Sequence, residues 1–152
     1  MILCADPSAQ FLSYQTEIEE AVLAVMRGNR YVLGDEVALL EKEFADYIGT
    51  SSAIGVANGT DAIELALRAL DIGLGDEVIT VCNSFYATAG AIVACGAKPV
   101  FIDSDDRYQI NVKKIEKAIT KKTKVILPVH WAGAAAEINQ VMRIAKKHNL
   151  RV

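Results

Sequence analysis

The sequence predicts an α/β fold, a mostly parallel sheet with helices on both faces. Three observations carry this. Short apolar runs alternate with amphipathic stretches from residue 52 onward, and strands linked through helices pair in parallel. The junctions carry turn chemistry, as in Asn58-Gly59-Thr60-Asp61 and Gly73-Leu74-Gly75-Asp76. A length of 152 residues that is 52% hydrophobic also suffices for a sizeable core.

The elements follow in order. Residues 15–27 put Ile18, Val22, Val25 and Met26 on one helical face. Residues 36–48 do the same with Val37, Leu40, Phe44 and Ile48, and Gly49 stops that helix. Between them runs a Gly-punctuated loop, Arg27 to Asp35, that carries Arg30 and Tyr31. Residues 1–50 thus form a helical arm ahead of a sheet domain over 51–152. Strands are expected at 52–57, 77–82, 98–103 and 123–128. Helices are expected at 60–71, 86–95, 111–119 and 136–148.

Composition narrows the function classes. A net charge of −3 offers no electrostatic footprint for nucleic acid. The lysines at 113, 114, 117, 121, 122 and 124 read as solvated surface. No apolar run approaches membrane-spanning length, and the opening Met1-Ile2-Leu3-Cys4-Ala5-Asp6-Pro7 turns polar too early for a secretory signal. Three cysteines, Cys4, Cys82 and Cys95, lack metal or redox spacing and read as reduced thiols of a cytoplasmic protein. No metal site is expected.

In open α/β sheets ligands bind at the carboxyl ends of strands. After the run 53–57 comes Asn58-Gly59-Thr60-Asp61. Gly59 permits a sharp turn and close approach, Thr60 suits an N-cap, and the next amides are unpaired donors at a positive helix end. That is phosphate chemistry, although many capped turns bind nothing. After the second strand come Phe85 and Tyr86, which either meet a planar ligand or pack as the start of a helix. After the third come Asp103, Asp105 and Asp106, which suit a divalent cation or plain turn chemistry. After the fourth comes His130, a general base or a hydrogen-bonding histidine. A dinucleotide fingerprint G-x-G-x-x-G is absent.

The run Asn58-Gly59-Thr60-Asp61-Ala62-Ile63-Glu64-Leu65-Ala66-Leu67-Arg68-Ala69-Leu70 is followed by Gly73-x-Gly75-Asp76-Glu77-Val78-Ile79. These blocks resemble the DegT/DnrJ/EryC1/StrS family of pyridoxal-phosphate-dependent nucleotide-sugar aminotransferases. The resemblance continues through Ser84-Phe85-x-Ala87-Thr88-Ala89, Gly96-Ala97-Lys98-Pro99-Val100-Phe101-x-Asp103 and Thr123-Lys124-x-Ile126-x-Pro128-Val129-His130. Upstream, Arg30-Tyr31-Val32-Leu33-Gly34 fits the same family's N-terminal arm.

The resemblance implies an aspartate-aminotransferase-like large domain (pyridoxal phosphate fold type I). Residues 51–152 would be an incomplete, truncated cofactor-binding large domain. It implies pyridoxal 5′-phosphate as cofactor, with Gly59, Thr60 and Asp61 at its phosphate and Phe85 stacked on its ring. Tyr31 and Gly34 would belong to a loop closing over the substrate. The reaction implied moves an amino group, from glutamate, onto a nucleotide-linked keto sugar, in a homodimer at full length. The segment around Gln10, Tyr14 and Tyr31–Gly34 resembles members that act at the sugar 3-position. In this family the pyridine-binding aspartate and the Schiff-base lysine would follow Leu150-Arg151-Val152. The chain is therefore expected to hold half a cofactor site, no catalytic residue, and no transaminase activity alone. The other reading is a non-catalytic α/β module that binds a ligand or partner through its phosphate-competent turn.

Overall fold

The computed structural model describes residues 4–152. The expectation that rests on Met1, Ile2 and Leu3 lies outside the described residues. The chain divides into two compact units, Met1–Gly55 and Val56–Val152.

In the first unit, α1 (Pro7–Ser13) begins where Asp6 Oδ1 accepts from the Ala9 amide at 3.1 Å. Pro7 holds the first position, where a missing N–H is harmless. Periodicity does not predict this helix, because seven residues are too few for a repeat to show. The helices α2 (Gln15–Gly28) and α3 (Asp35–Ile48) follow the apolar periodicity. They end in left-handed residues, Asn29 and Gly49, as C-caps commonly do. Their apolar stripes stay open: α2 buries no residue and α3 buries only Ala45.

One expected element is corrected. Residues 52–57 form no strand. A strand needs a neighbouring ladder for its amides and carbonyls, and among the described residues none is offered. The Gly55 amide instead donates to Glu41 Oε1 at 2.7 Å, and Ile54 is 80% exposed.

In the second unit, α4 (Gly59–Ala69) leads into β1 (Glu77–Val81), α5 (Tyr86–Ala94), β2 (Lys98–Ile102), α6 (Val112–Ala118), β3 (Thr123–Leu127) and α7 (Ile138–His148). The sheet order is β2-β1-β3, all parallel. Arg151 adds a single parallel bridge to Val125 on the far side of β3. The central strand β1 is buried at every residue, with Val78, Ile79 and Val81 apolar and Glu77 and Thr80 its two buried polar side chains. That Thr80 hydroxyl is satisfied by donating to the Leu127 carbonyl at 2.8 Å. Pro99 sits in β2, an outer strand of this sheet, where a missing donor is tolerated.

Because successive residues of a strand face opposite ways, β1 serves two cores. Ile79 and Val81 join Ile102, Ile115, Ile126 and Val141 on one side. Val78 joins Leu67, Ile92 and Val125 on the other. The path β1 to β2 moves one way across the sheet and β2 to β3 moves back past β1. Right-handed crossovers then put α5 and α6 on opposite faces, and the two cores are built that way.

Candidate functional site

The reversal of direction between β1 and β3 is a topological switch point, where open parallel sheets bind ligands beyond the strands' carboxyl ends. The loops there are Cys82–Phe85 after β1 and Pro128–Gly133 after β3. The entrance of α4 lies at the same end. The exits of α4 and α5 meet at the opposite end, where Gly96 (φ +83°) lies against the Leu74 backbone with an added Cβ 3.5 Å from its nitrogen. Both helices therefore begin at the carboxyl end of β1.

At the α4 entrance the cap is Asn58, not Thr60. Asn58 Oδ1 accepts from the Asp61 amide at 2.9 Å, and its Nδ2 reaches Asp61 Oδ2 at 3.3 Å. Asparagine ranks above threonine as an N-cap, and here it stands one residue ahead of the helix. The exchange leaves the Gly59 and Thr60 amides and the Thr60 hydroxyl with no acceptor among the described residues. Gly59 has no left-handed φ, and nothing lies within 4 Å of where its Cβ would stand. The fold itself does not require glycine there. The free donors sit at the end of the helix where its dipole is positive.

Phe85 and Tyr86 are not absorbed by packing. They are 65% and 79% exposed, and touch each other with ring centroids 4.4 Å apart at 54°. Beside them Asn83 Nδ2 donates to the Tyr108 carbonyl at 3.0 Å, while Asn83 Oδ1 is buried with no partner. His130 uses Nδ1 to accept from the Ala136 amide at 3.1 Å, so that nitrogen is occupied in shaping the turn after β3.

The acidic run after β2 is turn chemistry. Asp105 Oδ1 accepts from the Arg107 and Gln109 amides, at 2.9 and 3.0 Å. These backbone donors, that of Gln109 foremost, outweigh partial desolvation and hold the Asp105 carboxyl below the ordinary aspartate range, with Arg107 adding to them. Asp103 pairs with Lys114. Among the described residues no group of three His, Cys, Asp or Glu side chains could hold a metal ion. Gln109, only 1% exposed, bonds both the amide and the carbonyl of Trp131. Nothing in the sequence marks this contact, since a lone glutamine in a turn has no periodicity.

In the first unit the loop between α2 and α3 is locally fixed. Arg30 pairs with Asp35 at 2.7 Å, and the Tyr31 hydroxyl donates to the Met26 carbonyl at 2.9 Å. Gly34 is buried, and a Cβ there would stand 2.8 Å from the Arg30 carbonyl oxygen. Tyr31, Val32 and Leu33 form an exposed apolar tip. All ten lysines of the chain are exposed. Among the described residues no helix is long and apolar enough to cross a membrane.

Known proteins are similar to this chain in sequence and fold. The dTDP-3-amino-3,6-dideoxy-alpha-D-galactopyranose transaminase of Aneurinibacillus thermoaerophilus is 46% identical over 93% of this chain and 39% of its own length. The solved structure of S. venezuelae DesV in complex with a ketimine intermediate superposes with a TM-score of 0.93 at 39% identity, covering 95% of this chain and 39% of that one. The structure of NtdA from Bacillus subtilis with bound cofactor PMP gives 0.88 at 34% identity, over 91% of this chain and 32% of that one. The chain spans about 40% of the length of the curated relatives it matches. A family model covers residues 13–152, from the end of α1 through every strand and junction described above, and by that match the chain belongs to the DegT/DnrJ/EryC1/StrS aminotransferase family.

Proposed function

We propose that this chain supplies the phosphate-binding and ring-stacking part of a pyridoxal-phosphate-dependent aminotransferase acting on a nucleotide-linked keto sugar. The observation that carries the proposal is the α4 entrance: two free amides and a hydroxyl at a positive helix end, beside a glycine the fold does not need. This donor set fits a phosphate monoester. Gly59 and Thr60 would hold that group through their amides, Thr60 also through its hydroxyl, and Asp61 would fix the turn through its bond to Asn58. Phe85, exposed at the end of β1, offers a face for an aromatic ring. Held there, the cofactor would supply the electron sink for amino-group transfer. The PMP-bound neighbour supports the choice of cofactor.

The substrate would be a nucleotide sugar with a keto group at carbon 3, a choice supported by the name of the transaminase relative. Glutamate would be the amino donor. Tyr31 and Gly34 would shape the loop that closes over the sugar, Gly34 by letting the backbone fold tightly against Arg30 and Tyr31 by presenting its ring. The complete protein would act as a cytoplasmic homodimer. A location among reduced thiols is in keeping with three free cysteines. The chain alone would not transaminate. Its ten lysines are all exposed, whereas a Schiff-base lysine works from a desolvated pocket.

The test is Gly59→Ala. Replacing an early-helix glycine leaves stability equal or raises it by up to about 1 kcal/mol, while the new methyl group enters open space at the proposed phosphate turn. Thermal melting should hold or rise, and affinity for pyridoxal 5′-phosphate, read by equilibrium dialysis, should fall. An unchanged affinity would remove phosphate binding from this turn.

A further inference from the structure

We infer that Gln109 is a positioning residue for the cofactor crevice, acting by clamping the strained turn that follows β3; the functional half of this inference rests on the cofactor reading above. The Gln109 side chain is buried and behaves like a backbone segment toward Trp131. Its Oε1 accepts from the Trp131 amide at 3.3 Å, and its Nε2 donates to the Trp131 carbonyl at 3.3 Å. The same Nε2 also reaches the Arg107 carbonyl at 3.4 Å. One carboxamide thus ties the loop after β2 to the loop after β3.

Both loops carry strain that this tie holds in place. Tyr108, next to Gln109, has φ +61°, and Ala132, next to Trp131, has φ +51°. A left-handed backbone is costly for residues with a Cβ. Such conformations persist only where the surroundings over-determine them. The Tyr108 carbonyl in turn receives Asn83 Nδ2 from the loop after β1. Asn83, Tyr108, Gln109 and Trp131 therefore link the carboxyl ends of all three strands, with Phe85 two residues beyond Asn83. Trp131 is 42% exposed while its backbone is pinned. A clamp that fixes the main chain and leaves the ring open is suited to presenting a surface to a ligand.

The chain has a single tryptophan, so its fluorescence reports this turn alone. Gln109→Met keeps the side chain's length and apolar stem but removes all three hydrogen bonds. Its Trp131 should be quenched more strongly by acrylamide than in the wild-type chain, with an unchanged far-ultraviolet circular dichroism spectrum. Affinity for pyridoxal 5′-phosphate should fall roughly tenfold, the scale of one lost hydrogen bond. Gln109→Asn, which keeps the carboxamide but withdraws it by one methylene, should move both readouts the same way, and decides the matter if Gln109→Met does not fold. Unchanged quenching in a folded variant overturns the clamp. Raised quenching with unchanged affinity overturns its link to the crevice. A wild-type chain that fails to bind the cofactor overturns the cofactor reading and with it the positioning role, while the quenching comparison still decides the clamp.

Discussion

At the entrance of α4 neighbouring residues divide two tasks. The Asn58 carboxamide closes the cap on the Asp61 amide, and Thr60, relieved of capping, keeps its hydroxyl and amide without an acceptor among the described residues. Asn58→Ala should therefore cost about 1 kcal/mol of stability, the ordinary worth of an N-cap, read as a lower urea midpoint. Gly34→Ala tests a different constraint. Its Cβ would sit 2.8 Å from a backbone oxygen, so the chain from Arg30 to Asp35 would have to shift. We expect a loss of about 1–3 kcal/mol, the scale of overpacking, measured by thermal melting. The sequence marks this region as a capped, phosphate-competent turn but does not say which residue caps. Asn58, Thr60 and Asp61 are all competent, and the choice depends on where the first turn closes in three dimensions. Gln109 was illegible for a similar reason. Its Trp131 partner lies 22 residues away, and no local pattern encodes it.

Among the elements, Ile79 belongs to β1 and is wholly buried against α6 and α7. Ile79→Ala should cost about 2–5 kcal/mol, visible as an earlier urea transition. The two helices on that face are also tied by charge. Glu116 of α6 accepts from Lys147 Nζ at 2.8 Å and meets His148 Nε2 of α7 at 2.9 Å. The Lys147 hydrogen bond foremost, then that of His148, holds the Glu116 carboxyl below the ordinary glutamate value near 4.5. A depressed carboxylate stabilises the fold above its unfolded pKa, and that contribution is lost as pH falls through the folded value. Glu116→Gln should accordingly lose less stability than the wild-type chain between pH 5 and pH 3, followed by urea melts across that range. Strands and helices from residue 60 onward were legible because apolar runs and helical stretches alternate there, with turn residues between them. The run 53–57 misled because apolar composition marks a willingness to pair, whereas a strand also needs a neighbour, and among the described residues Ala53 to Ala57 have none. The short α1 escaped notice because its signal is a cap and a proline rather than a repeat.

For the molecule as a whole, the α/β class and the two-faced layering were legible because the rhythm of strand and helix persists over the second unit. The openness of the α2 and α3 stripes was not, since amphipathic periodicity tells which face is apolar and not what covers it. Taken alone, the chain should bind pyridoxal 5′-phosphate yet form 2-oxoglutarate from glutamate no faster than the free cofactor does. Turnover by the isolated chain, followed by a coupled dehydrogenase assay, would sink that expectation. The central place of β1 has a further consequence, for synthesis rather than function. Thr80 bonds to Leu127, 47 residues later in the chain. At ordinary translation speeds that stretch takes roughly two to ten seconds to make. During that interval a nascent polypeptide carries its most apolar strand with one edge unpaired, and one of its two faces waits for α6 and α7. Chaperone capture should thus be strongest on nascent chains that stop short of residue 127 and fall once β3 has emerged.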